Sequence, residues 1–79
     1  MAKLKPYLLK WLHEYADSCV NNHVLKAMIF NGNIPRIRFY LLASARHDIE
    51  SLAADKKFDE ARVARIKFAL MLHHELEDL

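Results

Sequence analysis

The fold is decided by residues 33–79, NIPRIRFYLLASARHDIESLAADKKFDEARVARIKFALMLHHELEDL, because this stretch holds most of the apolar surface that must be buried. At helical spacing, its last part shows two separate apolar stripes. The first stripe comprises Ala61, Ala64, Phe68, Met71, Leu72, Leu76 and Leu79. The second stripe comprises Val63, Ile66 and Leu70. A surface helix ordinarily shows one apolar stripe and one polar face, so we predict a last helix that is covered on two sides.

The same stretch can turn or continue as one helix, and both geometries fit the pattern. An a/d-type spacing that predicts packing against one neighbour is kept by Leu42, Ala45, Ile49 and Leu52. In a helical hairpin the chain turns at residues 55–58, and Asp59 and Glu60 lie in the first turn of the next helix, where acids favour the helix dipole. In one continuous helix, Lys56 and Asp59 would interrupt the apolar seam. The pattern therefore favours the hairpin.

The composition is that of a small helical protein. The chain has 79 residues, near the size at which one hydrophobic core is marginal. Hydrophobic residues make up 53% and charged residues 28%, which indicates a globular rather than a disordered chain. One glycine and two prolines are few for a protein of strands and turns. We predict an all-α fold, a bundle of three to four helices forming a single domain over residues 1–79 and ending in a helical hairpin.

The chain shows no feature that would direct it to a membrane or an oxidising compartment. The longest apolar run, residues 39–45, is interrupted by Ser44 and is too short to span a bilayer. The N-terminus has lysines but no apolar segment followed by a small-residue cleavage site, so we expect no signal peptide. The lone cysteine, Cys19, cannot form an internal disulfide and suits a reducing compartment. The predicted location is the cytoplasm.

The net charge of +2 is small but uneven along the chain. Residues 1–38 carry six Lys or Arg against two acids, whereas residues 39–79 carry six against eight, so the two parts are about +4 and −2. Such asymmetry predicts head-to-tail attraction or a mildly basic face.

The first half of the chain predicts two further helices. Pro6 suits a first helical turn, and an apolar face extends from there to about residue 21. Residues 23–30 contain good helix formers, but Asn31-Gly32 between two β-capable segments is also a β-hairpin signal. Against strands, Pro35 would remove a ladder donor. We predict helices at about 6–21, 23–30, 34–54 and 58–78, with an α+β arrangement around Asn31-Gly32 as the alternative.

Two short segments resemble known families. Residues 6–10, Pro-Tyr-Leu-Leu-Lys, with Glu14-Tyr15 and His23-Val24-Leu25, resemble the start of stringent starvation protein B, an adaptor that delivers substrates to a protease. The resemblance covers about a quarter of the chain, and the β-rich remainder of that family has no counterpart here, so no function is transferred. Leu52-Ala53-Ala54 with Phe58-Asp59-Glu60-Ala61 resembles the UVR helical hairpin of excision-repair proteins, which implies protein–protein contact.

Motifs for metal binding or catalysis are lacking. Cys19 and His23 have ligand spacing only if one helix continues through both, and we expect the helix to end between them. His73 and His74 point in different directions on a helix, and each lies four residues before an acid. The sequence contains neither Cys-x-x-Cys nor His-Glu-x-x-His, and no glycine-rich phosphate loop. We predict no metal, no cofactor and no catalytic residues, and hence a non-enzyme.

Nucleic-acid binding is the alternative function. Arg36 and Arg38, flanked by Phe39 and Tyr40, form a basic patch that could contact phosphates. A short helix, a turn at Asn31-Gly32 and a following helix could also form a helix-turn-helix. Such a helix would carry its arginines among apolar residues, which is a poor recognition surface. DNA binding by a transcriptional regulator is therefore kept as the second hypothesis.

The favoured hypothesis is protein binding. Aromatic and Met side chains exceed the need of a small core, and they are typical of interface centres. The predicted partner-binding residues are Tyr7, Trp11, Tyr15, Arg36, Arg38 and Tyr40. The predicted homodimer interface comprises Val63, Ile66 and Leu70, because a second copy would cover the second stripe of the last helix. We expect a cytoplasmic regulator, adaptor or inhibitor that docks a larger protein, of the small kind common in phages; the partner's identity is not encoded in any motif.

Overall fold

The computed structural model describes residues 4–19, 22–55 and 58–77. These residues form four helices and no strand: α1 (Pro6–Asp17), α2 (Asn22–Asn31), α3 (Ile34–Asp55) and α4 (Glu60–Leu76). The predicted all-α class is confirmed, and the predicted bounds of α2, α3 and α4 lie within two residues of those observed. The end of α1 differs more, since this helix ends at Asp17 rather than near residue 21.

The connection between α2 and α3 is a glycine-terminated elbow, not a β-hairpin. Gly32 adopts a φ of +65°, the left-handed conformation that favours glycine. The N–H of Gly32 donates to the carbonyl of Ile29 at 3.0 Å, and the N–H of Asn33 donates to the carbonyl of Met28 at 3.2 Å. This pair of bonds is a Schellman motif, which satisfies the last carbonyls of α2. The Asn33 side chain then accepts the N–H of Arg36 at 3.3 Å and caps α3.

The hairpin between α3 and α4 consists of the two longest helices of the described chain. The two helices lie antiparallel, so the alternative of one continuous helix is wrong. Asp59 is the N-cap of α4, and its carboxylate accepts the N–H of Arg62 at 3.2 Å. Across the hairpin, the Arg62 guanidinium bonds to Asp55 at 3.0 Å. The predicted turn includes Lys56 and Lys57, which lie outside the described residues.

The core lies at the centre of a ring of helices, in which α1 packs on α2, α2 on α3, α3 on α4, and α4 on α1. Its members are fully or almost fully buried aliphatic side chains, three of which are alanines, and one tyrosine from α1. The core comprises Leu8, Leu12, Tyr15, Ala16, Leu25, Ile29, Ile34, Ile37, Leu41, Ala45, Ala69, Leu72 and Leu76. None of the described helices is both long enough and apolar enough to cross a membrane.

The buried face of α4 differs from the prediction. Its buried residues are Leu72 and Leu76, which belong to the first predicted stripe, and Ala69, which belongs to neither stripe. From the first stripe, Ala61 and Ala64 are exposed rather than buried. The small residue at position 69 allows close helix approach. One broad face of α4 packs on the core, and the flanks of this helix are left half-covered.

The buried face of α3 also differs from the prediction. The helix buries Ile34, Ile37, Leu41 and Ala45. Of the predicted a/d seam, Leu42 is 44% exposed and Ile49 is 50% exposed. The predicted seam was therefore wrong for two of its four members, and these two form an outward apolar strip.

Candidate functional site

The predicted partner-binding residues of α1 are divided between surface and core. Tyr7 is 41% exposed and meets the half-buried Trp11 edge to face, with ring centroids 5.0 Å apart. The Tyr7 hydroxyl also reaches the carboxylate of Glu75 on α4 at 3.5 Å. Tyr15, in contrast, is fully buried and stacks edge-on against Phe68 at 5.9 Å. Its placement on a docking surface is corrected, because a buried ring cannot touch a partner.

The predicted residues on α3 do not form one patch. Arg36 is exposed, whereas Arg38 is half-buried, and its Nε is enclosed without a hydrogen-bond partner among the described residues. Side chains that are two positions apart on a helix are rotated by about 200° from one another. The two arginines therefore face different sides. Tyr40 is half-buried beside Cys19, and burial raises the pKa of its phenol. This arrangement gives no support to a single Arg36–Arg38 surface for DNA.

The predicted dimer residues lie on one flank of α4. Val63 and Ile66 are half-buried, and Ile66 packs against the core. Leu70 is 46% exposed. Leu70 follows Phe68 by two residues and therefore points away from it. Because Phe68 contacts Tyr15 of α1, the flank with Leu70 is the one that α1 leaves uncovered.

The same flank on α3 carries the misplaced members of its seam. Ser44 faces α1, since its hydroxyl and that of Tyr15 are 2.6 Å apart. Leu42 and Ile49 lie about 160° and 140° around the helix from Ser44, on the side away from α1. The flanks of α3 and α4 that point away from α1 therefore lie side by side, because the two helices are antiparallel neighbours. We call the resulting surface the hairpin face; it comprises Leu42, Ile49, Val63, Ile66 and Leu70.

On the opposite side, the end of α1 and the α3–α4 hairpin enclose an open cleft of about 500 Å³. Its lining residues are Cys19, Tyr40, Ala43, Ser44, His47, Asp48, Ser51, Arg62 and Arg65. At its floor, the carboxylate of Asp48 accepts two bonds from the Arg65 guanidinium, each 2.7 Å long. A third guanidinium nitrogen donates to the carbonyl of Ser18 at 3.0 Å. One arginine thus joins α4 to α3 and to the end of α1.

The charged groups of the cleft, Asp48, Arg62 and Arg65, are paired within the chain. The hydrogen bonds that the Arg65 guanidinium donates to the Asp48 carboxylate raise the pKa of the guanidinium further above its ordinary value, so it stays a cation at any accessible pH. Arg62 is held by Asp55 and, at 3.8 Å, by Asp59. The Ser44 hydroxyl pairs with Tyr15, and not with a histidine, so this part of the described chain shows no nucleophile–base pair. The arrangement is a structural clamp.

Sequence reasoning missed the Asp48–Arg65 pair. Asp48 is only 4% exposed, which is unusual for a carboxylate. One signal could have found it: Asp48 continues the spacing of Leu41 and Ala45, so an acid occupies the buried face of α3. A carboxylate in that position needs a cation on the facing helix.

The elbow between α2 and α3 carries a second open groove, of about 400 Å³. We call it the elbow groove; it is lined by Met28, Pro35, Arg36 and Phe39. Phe39 is 75% exposed, and Phe30 in the last turn of α2 is 91% exposed. Large apolar side chains that stay in water beside a groove mark interaction sites more often than isolated ones do.

The histidines do not assemble with other ligands. His73 and His74 both lie near Glu77, at 3.7 and 3.5 Å. The expected partner of His74, Asp78, lies outside the described residues. Over residues 4–19, 22–55 and 58–77, no three His, Cys, Asp or Glu side chains are placed to hold one metal ion. Cys19 instead donates its thiol to the carbonyl of Tyr15 at 3.5 Å.

Comparison with family models, with curated proteins and with solved structures found no match to this chain. The two resemblances noted in the sequence gain no support from these comparisons.

Proposed function

We propose that this chain is a non-enzymatic protein-binding module that acts as a homodimer and docks a larger protein, as a small regulator, adaptor or inhibitor does. The observation that carries the proposal is the hairpin face. Leu42, Ile49 and Leu70 are each 44–50% exposed on the same side of the α3–α4 hairpin. A protein this small has little core to spare, so covering that face would add stability as well as specificity.

The rim of the hairpin face favours a second copy of the chain as its occupant. Arg46 and Glu50 are both exposed and lie one helical turn apart on α3, beside the apolar strip. In an interface with two-fold symmetry, if one residue of the first copy contacts a second residue of the other copy, the reverse contact also forms. An antiparallel α3–α3 packing therefore places Arg46 of each copy against Glu50 of the other. One surface with both signs in this order is complementary to itself.

The oligomeric state tests this proposal. Sedimentation velocity over a dilution series should show a monomer–dimer equilibrium for the unaltered chain. Leu70→Asp and Ile49→Asp should each weaken it about tenfold or more, because each buries a charge in the interface. Both positions are preferable to Ile66, which also packs against the core. The matched control is Phe30→Asp, whose side chain is 91% exposed on α2 and should leave the equilibrium unchanged.

A charge exchange tests the geometry of the dimer. Arg46→Glu and Glu50→Arg should each weaken dimerisation, because each places like charges together, whereas the double exchange should restore it. A monodisperse monomer at every concentration would contradict the homodimer. A dimer that is insensitive to Leu70→Asp and Ile49→Asp would place the interface elsewhere.

The cytoplasm remains the proposed location, supported by the single cysteine of the sequence.

A further inference from the structure

The elbow groove combines exposed apolar surface with an unusual charge distribution. No Asp or Glu occurs between Asp17 and Asp48, a stretch that includes α2, the elbow and the first half of α3. The same stretch contains Lys26 and three arginines. Lys26 is neutralised locally, since its ammonium lies 2.9 Å from the carboxylate of Asp17. The groove is therefore lined by apolar residues and Arg36, and it is formed by a part of the chain that contains no acid.

Arg36 is the cation at the groove itself. It is exposed, and among the described residues no carboxylate lies within ion-pair distance of it. Its backbone N–H is used by the cap of Asn33, which fixes the start of the helix that carries it. Beside it, Phe39 and Met28 offer an aromatic and a flexible thioether surface, two side-chain types that are typical of the centres of protein interfaces.

We propose that the elbow groove binds an acidic, amphipathic segment of another protein, with an apolar side chain between Met28 and Phe39 and a carboxylate on Arg36. This inference rests on the proposed function, that the chain docks a protein, and names the chemistry of the partner. Apolar anchors set the affinity of such an interface, whereas the complementary charge sets the rate and selectivity of association.

A nucleic acid fits this groove less well. Phosphate binding draws its affinity from several cations, each releasing counterions. Here Arg38 is half-buried and faces another side, so Arg36 is the single cation among the described residues that line the groove. A second copy of the chain is accounted for on the hairpin face, which lies on the α3–α4 side and shares no residue with the groove.

The test uses the whole chain and a displayed library of random 16-residue peptides, panned in parallel on the unaltered protein and on its variants. Enriched peptides should combine Asp or Glu with aromatic or aliphatic residues. As soluble peptides they should bind about tenfold more weakly to Phe39→Ala and to Arg36→Glu. The matched control is Phe58→Ala, because Phe58 is 74% exposed against 75% for Phe39 but lies at the other end of α3. Circular dichroism checks that each variant keeps its helices.

Four outcomes overturn the inference: no enrichment on the unaltered chain, enrichment without acidic residues, equal binding to Phe39→Ala, or the same loss with Phe58→Ala. Salt-sensitive binding of a random DNA duplex that is lost in Arg36→Glu, with no peptide enriched, would assign the surface to nucleic acid instead. The proposed function is judged separately. If acidic peptides bind Phe39→Ala and Arg36→Glu as tightly as the unaltered chain, the chain is a protein-binding module whose docking surface is not the elbow groove.

Discussion

The Asp48–Arg65 clamp makes the sharpest prediction about stability. The Asp48 side chain is 6% exposed and the Arg65 side chain 29%. Removing the arginine leaves a buried carboxylate without a counter-charge, so Arg65→Ala should lower the free energy of unfolding by about 3–5 kcal/mol. Removing the acid leaves a guanidinium that still reaches water and the carbonyl of Ser18, so Asp48→Ala should cost less, about 2–3 kcal/mol.

An apolar replacement of both partners should cost less than either single change. Asp48→Leu with Arg65→Met removes two charges that folding had to dehydrate, and its net effect should be about 1 kcal/mol or less. The matched control is Asp55→Ala, which breaks the exposed pair with Arg62 across the same hairpin. That pair is solvent-screened, and its loss should change the free energy of unfolding by about 0.5 kcal/mol.

Urea denaturation followed by far-ultraviolet circular dichroism measures these differences from the midpoint and slope of each transition. Because dimerisation adds to apparent stability, all variants have to be compared at one protein concentration. Equal costs for Arg65→Ala and Asp48→Ala would refute the argument from unequal burial. A double replacement that is less stable than both single variants would refute the argument from dehydration.

Three further predictions concern single positions. Burial raises the pKa of Tyr15 to about 12 from 10.0. As pH rises from 10 to 12, the unfolded chain loses the phenol proton while the folded chain keeps it, so the free energy of unfolding should fall by about 2–3 kcal/mol. Urea denaturation of Tyr15→Phe over the same pH range should lack this fall. Gly32→Ala meets no atom within 4 Å but keeps a φ of +65°, so it should cost about 1 kcal/mol of backbone strain and lower the Tm by about 4–8 °C in a thermal scan; an unchanged Tm would contradict the elbow geometry. Asp59→Ala removes the cap of α4 and should cost about 1 kcal/mol in urea denaturation, whereas Glu60→Ala, one residue later and exposed, should cost clearly less.

The boundaries of α2, α3 and α4 could be predicted because local chemistry sets them. Gly32 supplies the left-handed residue that ends α2, Asn33 and Pro35 suit the start of α3, and Asp59 caps α4. Each signal acts within a few residues of chain, so a pattern in the sequence contains it. The resulting choice of helix over β-hairpin at the elbow was confirmed.

The choice of buried faces could not be predicted as well, because it depends on which helix packs where. The spacing of Leu42 and Ile49 fits a seam as well as that of Ile37 and Leu41 does, and only the position of α1 decides between the two sets. The clamp was missed for a related reason. Asp48 and Arg65 are 17 residues apart and lie on different helices, so no pattern within one helix pairs them.

The candidate surfaces were predicted in part only. Arg36 and Leu70 lie where a partner can reach them, whereas Tyr15 does not, because an aromatic residue in an amphipathic helix can serve the core equally well. Phe39 was not recognised from the sequence as a neighbour of Met28 in one groove. Their juxtaposition depends on the angle between α2 and α3, which no short-range pattern specifies.

The edge-on contact between Trp11 and Tyr7 makes tryptophan fluorescence a probe of how α1 is packed. Trp11 is the sole indole of the sequence, and the ring it touches is bonded to Glu75 of the last helix. Its emission therefore senses whether the first helix is seated on the last, independently of the helical content of the hairpin. Partial detachment of the N-terminal helix can thus be followed by intrinsic fluorescence, without an added dye.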